Sequence, residues 1–182
     1  MLYSVAALIL LALQLLQLSD EQLTFRYPQR PETAISLEAQ GFSEPTAQWR
    51  GTDYYYIGQR ESDGMNLSVL FYKLTEEEVE GMNTEGRKLL KETGLSPKFP
   101  HFMFSNNDRI KTVESTDTSW TGPHGYTILR HADVNIQGIT QKNFWAYYMP
   151  AEDIFVNVHV SMIGATSEDS LGMLSIMNSL TK

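Results

Sequence analysis

The chain has 182 residues, 42% of them hydrophobic and 20% charged, which suits one globular domain and excludes a disordered one. Its 22 acidic and 14 basic side chains give a formal charge of -8 with no Lys/Arg cluster, which argues against nucleic acid and against charge-driven docking on an anionic membrane surface. The chain contains no cysteine, so it has no disulfide, thiolate metal site, cysteine nucleophile or lipid-bearing cysteine.

Residues 2–19, LYSVAALILLALQLLQLS, carry no charged side chain. Such a run reads as a signal-peptide core or an N-terminal membrane anchor over residues 1–19. No Lys or Arg precedes it, Gln17-Leu18-Ser19 is a poor cleavage site, and Gln14 and Gln17 interrupt a spanning helix. A buried or amphipathic helix of a soluble protein is the competing reading. Export or anchoring would place the remaining chain outside the bilayer, on the side away from the cytoplasm. Residues 20–33 hold Pro28, Pro31 and mixed charge, and read as a tether to a single α+β domain over residues 34–182.

The domain opens with Ile35, Leu37 and Ala39 alternating against Ser36, Glu38 and Gln40, the period of a half-buried strand. Residues 48–60, QWRGTDYYYIGQR, read as one aromatic strand. Asp63-Gly64 is a hairpin turn signal, and residues 65–74 return as a strand with Leu67, Val69 and Phe71 on one face. A helix is expected next. Thr75 is its N-cap, Glu78 completes a capping box, and Leu74 and Val79 take the staple positions. Lys88, Lys91 and Gly94 mark its end. The glutamates at 76–78 favour the positive helix end and fan around the axis, so they do not converge on a metal.

Residues 95–101 form a proline-broken loop. Strands are expected over 101–115, with a turn at 106–108, then over 125–138 and 141–149. Pro150 to Asp153 reverses the chain into a last strand over 153–161. Thr166, Ser167 and Asp169 open a final helix over 167–180. Its Leu171, Leu174, Met177 and Leu180 are expected to pack on Ile154, Val156, Val158 and Val160. The segregated order predicts an α+β fold, a single antiparallel β-sheet flanked by helices.

In FVNVHVS (155–161), His159 shares its strand face with Asn157 and Ser161, because side chains alternate. No G-x-S-x-G elbow accompanies the Ser–His pair, so a solvated or partly covered strand face is the reading taken forward. His124 lies in a TGPHG turn. His131, Asp133 and His159 would form a two-histidine, one-carboxylate metal set if their strands shared a face. Asn66-Leu67-Ser68 matches a glycosylation sequon within a predicted strand. Trp49, Tyr54, Tyr55, Tyr56, Trp145, Tyr147 and Tyr148 either cover the sheet or line a carbohydrate or peptide platform.

The order of these elements resembles the PsbP-like superfamily. The resemblance runs through an apolar leader, LSVLFYKL, a capped helix, GYTILRHADVNI, FWAYYMPAEDIFVNVHVS and a terminal helix ending IMNSL. That group includes photosystem II extrinsic subunits, a Ran-binding nuclear import factor and DcrB-like envelope proteins. The resemblance covers residues 34–182 and implies an α/β/α sandwich used mostly for binding or assembly. It supplies no site residue. The chain lacks the lipid-bearing cysteine of the DcrB-like lipoproteins.

Together these readings predict an exported, periplasmic or envelope-associated domain that binds a protein or small-molecule partner, needs no cofactor, and is tethered, if at all, through residues 2–18. One alternative is a metal-assisted hydrolase using His131, Asp133 and His159. The other is a small-ligand carrier with an aromatic-lined groove.

Overall fold

A computed structural model describes residues 22–51, 53–81, 110–112, 116, 118–122 and 127–181. In chain order the strands are β1 (Gln22–Tyr27), β2 (Arg30–Glu38), β3 (Thr46–Arg50), β4 (Asp53–Arg60) and β5 (Met65–Lys73). Helix α1 (Glu76–Gly81) follows, then β6 (Ile110–Thr112), β7 (Thr118–Thr121), β8 (Thr127–Ile136), β9 (Ile139–Ala151), β10 (Ile154–Ile163) and helix α2 (Ser167–Asn178).

Short turns make two antiparallel meanders. The β3–β4 hairpin reverses at Gly51 (φ +66), and the β8–β9 hairpin at Gln137 and Gly138 (φ 55 and 88). Two successive residues with positive φ suit a two-residue turn whose twist matches that of its strands. The meanders β3–β4–β5 and β8–β9–β10 join along β5 and β10. The resulting eight-stranded sheet has the order β3-β4-β5-β10-β9-β8-β6, with β7 also on β8. Between β9 and β10 the register shifts at Phe155, opposite Met149 and Pro150. Such a bulge tolerates a proline, which has no N–H for the ladder.

The β1–β2 hairpin is a separate two-stranded sheet. It lies on one face of the large sheet, called here the hairpin face. Phe25, Tyr27, Ile35 and Leu37 pack there with Leu67, Val69 and Phe71 of β5 and with Val156, Val158 and Val160 of β10. Aromatic rings fix it, Phe25 edge-on to Tyr56 at 5.1 Å and Tyr27 stacked on Phe71 at 6.0 Å between ring centres. The Tyr56 hydroxyl donates to the Arg26 carbonyl at 2.8 Å.

Helix α2 closes the same face. Thr166 and Asp169 form its capping box. After it, Ser36 and Thr181 exchange two backbone hydrogen bonds of 2.8 Å, so the C-terminus clasps the hairpin.

Several expectations are corrected here. Among the described residues the sheet is not single and flanked by helices: they are mostly β, in two sheets. Of the expected tether over 20–33, residues 22–33 are not one, because β1 and the start of β2 fall within them and Phe25 and Tyr27 are buried. Pro28 lies in the hairpin turn, and Pro31 sits where the β1–β2 register shifts, so neither breaks the ladder. Residues 48–60 are two strands, not one.

On α2 the buried residues are Met173, Ile176 and Met177, Leu174 is half-buried against the core and Leu171 is 69% exposed, while Leu180 is buried just past the helix end. Residues spaced strictly by three drift around a helix of 3.6 residues per turn; the 173, 176, 177 spacing holds one face. The expected helix beyond Gly81, the loop at 95–101, the strand at 101–109 and His124 lie outside the described residues.

This packing predicts contrasting outcomes in urea denaturation for two substitutions on the same helix. Met177→Ala should lose about 2–5 kcal/mol, as buried methionines do. Leu171→Ala should stay within about 0.5 kcal/mol of the parent.

Candidate functional site

Directly paired strand residues share a sheet face, so register decides which candidate side chains meet. His131 of β8 pairs with Phe144 of β9, which pairs with Val160 of β10. His159 pairs with Trp145, which pairs with Arg130. His131 and Asp133 therefore stand on the hairpin face and His159 on the opposite face. The His131–Asp133–His159 set does not assemble, because its members are one register step apart and the sheet lies between them.

Each part has its own local partners. His131 Nε2 lies 3.2 Å from Asp133 Oδ1, and Lys142 Nζ lies 3.5 Å from the same oxygen. The Asp133 backbone N–H donates to Thr116 Oγ1 at 2.8 Å, and the His131 ring lies 4.6 Å from that of Phe144. The carboxylate thus has a neighbouring cation and a neighbouring ring nitrogen. The Lys142–Asp133 contact links β9 to β8.

His159 is held more closely. Its ring stacks on Trp145 at 5.0 Å with 8° between planes, and Arg130 covers the Trp145 ring at 5.3 Å. His159 Nε2 lies 2.9 Å from Asn143 Oδ1. The Asn143 amide nitrogen donates to the carbonyls of Ala132 and Gln141, at 3.3 and 2.9 Å, and Gln141 Nε2 donates to Asn143 Oδ1 at 2.8 Å. Those partners fix the oxygen as the atom facing His159. His159 therefore carries its proton on Nε2, and Nδ1 is left as an acceptor.

The residue keeps part of its surface accessible, yet burial of the ring pushes its pKa from 6.5 down to about 4. Of the expected solvated or partly covered strand face, the solvated reading is corrected: Asn157 and Ser161, on either side of His159, are both 6% exposed. Asn143, which orients the histidine, went unnoticed in the sequence. It sits in QKNFWAYY, where a polar triplet runs into an aromatic stretch and no motif marks it.

The aromatic residues do not form one platform. Trp49, Tyr54, Tyr56 and Tyr148 share the hairpin face by register, and Tyr55, Trp145 and Tyr147 share the other. Trp49, at 45% exposed, meets the rings of Tyr54 and Tyr27 at 4.7 and 6.0 Å, so its contacts dock the hairpin.

An open cleft of about 500 Å³ lies where the β1–β2 turn, the β9–β10 turn and the β5–α1 junction converge. Arg30 donates two hydrogen bonds of 2.7 Å to the Asp153 carboxylate, and Leu74 N–H donates to the Asp153 carbonyl at 2.8 Å. Lys73, Glu76 and Val79 line the remainder. The wall is of mixed charge with an apolar floor, a surface suited to contact and without an acid–base pair aimed at a substrate.

No family model and no curated protein matches the chain. Its structure is similar to the solution structure of cyanobacterial PsbP (CyanoP) from Synechocystis sp. PCC 6803. The TM-score is 0.53 at 8% sequence identity, over 89% of this chain and 92% of that one. At that identity the likeness establishes the fold, and the fold is PsbP-like.

The His159 environment predicts a pH dependence of stability. Burial favours the neutral ring in the folded state, so the unfolded chain binds the proton more readily. The stabilisation of the neutral ring is undiminished above pH 6.5, falls as pH drops towards about 4, and is constant below that. The difference between these two pKa values corresponds to at most about 3 kcal/mol. Urea midpoints at pH 7 and pH 4.5 should differ by less in His159→Gln than in the parent, since glutamine keeps a donor for Asn143 and does not titrate.

Proposed function

We propose that the chain is an exported or membrane-tethered binding or assembly domain that carries no catalytic centre. The observation that carries this reading is the uncharged apolar run at residues 2–19 ahead of a PsbP-like β domain. Such a run directs a chain to or across a bilayer, and it is costly to leave in water.

The disposition of the titratable groups supports the non-catalytic part. Asp133 already contacts His131 and Lys142, while His159 stays neutral on the far side of the sheet. General acid–base work needs a titratable group positioned to reach a reacting atom of a bound substrate. The structural neighbour, cyanobacterial PsbP, adds a fold-level analogy. Among the described residues no helix is long and apolar enough to cross a membrane, and the tether in this reading is residues 2–18. The partner is a protein or small molecule of the cell envelope, and the Arg30–Asp153 cleft offers an exposed contact surface.

Fractionation of cells producing the C-terminally tagged chain tests the reading. The protein should appear in the membrane or extracytoplasmic fraction, and deletion of residues 2–19 should retain it in the cytoplasm. Intact full-length protein found wholly in the soluble cytoplasmic fraction would overturn it.

A further inference from the structure

Strand β3 ends the large sheet. It pairs with β4 on one side and, among the described residues, with no strand on the other. The register fixes what the open side offers. Arg50 and Asp53 close a two-residue turn, and such a closing pair exchanges both of its backbone hydrogen bonds. Bonded pairs then alternate along the ladder, so Gln48 with Tyr55 and Thr46 with Ile57 are bonded as well. Ala47 and Trp49 fall between them, and their N–H and C=O groups point away from β4. Thr46 to Trp49 are all exposed, so this edge stands in water and not under another segment.

Open edges are commonly guarded by a lysine, an internal proline or a bulge. Ala47, Gln48 and Trp49 supply none of these, and β3 pairs with β4 without a register shift. Pro45 has no N–H and stands just before the strand, which confines any added pairing to Thr46–Arg50. Trp49 remains 45% exposed although its ring meets those of Tyr54 and Tyr27.

The segment is complementary to itself. With a second copy antiparallel and Gln48 opposite Gln48, Ala47 of each copy stands opposite Trp49 of the other. Both outward-facing residues then enter bonded pairs, and every outward N–H and C=O of the two finds a partner. Centring the pair on Ala47 sets Trp49 against Pro45, which cannot donate. Centring it on Trp49 sets Ala47 against Gly51, which lies in the turn. Within one copy Ala47 pairs with Tyr56 and Trp49 with Tyr54. On the hairpin face, each row across the junction therefore reads Tyr56, Ala47, then Trp49 and Tyr54 of the second copy. The exposed indole gains the alanine methyl beside it and loses water. On the other face the two Gln48 amides meet on the two-fold axis, and each can donate to and accept from the other.

We propose that β3 is a homodimerisation edge, through which two copies pair antiparallel about Gln48 and join their large sheets into one. Five residues a side is small beside the roughly 20–30 of a standard interface, so the dimer is weak and depends on concentration. It does not depend on where the protein resides, so this result and the fractionation result can fail independently.

Sedimentation velocity of the full-length protein tests this from micromolar to near-millimolar concentration, in mild detergent that shelters residues 2–19. Each copy carries a formal charge of -8, so the salt is physiological, where such charges are screened beyond about 8 Å. A monomer–dimer equilibrium is expected. Gln48→Lys and Gln48→Glu alter an exposed side chain and should leave the fold intact. Each alone sets like charges opposite one another and should weaken the dimer about fivefold or more. An equal mixture of the two should restore it. Association through residues 2–19 would respond to neither change. The chain has no cysteine, so Gln48→Cys gives a second reading. The central pair is of the non-bonded kind, with Cα atoms about 4.5 Å apart, a separation that a disulfide bridges. Mild oxidation should therefore link Gln48→Cys chains well ahead of chains carrying Glu168→Cys, an exposed position on α2. The proposal is overturned if the parent stays monomeric throughout or if charge at residue 48 leaves the dimer unchanged. It is equally overturned if the mixture associates no better than either variant alone, or if Gln48→Cys links no faster than Glu168→Cys.

Discussion

Strand β10 is buried on both of its faces, and much of the architecture follows from that. Ile154 to Val158 form a continuous buried run, with Val160 and Ser161 beyond His159 also buried. A strand of this kind needs a neighbour on each edge and a cover on each face. Strands β5 and β9 provide the edges. On one face the β1–β2 hairpin and α2 provide the cover. Buried aliphatic and aromatic side chains each contribute about 1.5–3 kcal/mol, so the central strand gathers much of the stabilisation of the fold.

The cover is itself stitched together from sequence-distant pieces. The hairpin is too small to stand alone, since an isolated two-stranded ribbon is marginal in water. It is held by rings from β3, β4 and β5 at one end and by the Ser36–Thr181 exchange at the other. The Arg30–Asp153 pair adds a charged tie between its turn and the β9–β10 turn. Helix α2 is positioned by its capping box and by Met173, Ile176, Met177 and Leu180.

The same two-sided burial sets the chemistry of the polar groups. His131 and His159 differ by one register step, and their environments differ accordingly. His131 meets a carboxylate that also contacts a lysine. His159 is desolvated, stacked on Trp145 and restricted to one tautomer by Asn143. Asn157 occupies the same low-dielectric face with an unpartnered oxygen. A polar group on that face is costly unless something completes its hydrogen bonding.

Local chemistry in the sequence determined the elements whose signals are short in range. The Asp63-Gly64 turn, the alternation in β2, β5 and β10, the Thr166 cap and the fold resemblance were all legible, because turn geometry, strand period and capping depend on neighbouring residues. Other features were decided only when distant segments met. Residues 22–33 became a hairpin because rings from residues 49–71 bury Phe25 and Tyr27; alone, their prolines and charges read as a linker. The polar side of β10 became interior although its alternation is that of a wet strand, since period two states which residues share a face and not what covers it. The placement of His131 and His159 on opposite faces was fixed by the pairing of both β8 and β10 with β9, and strand register is a property of the assembled sheet.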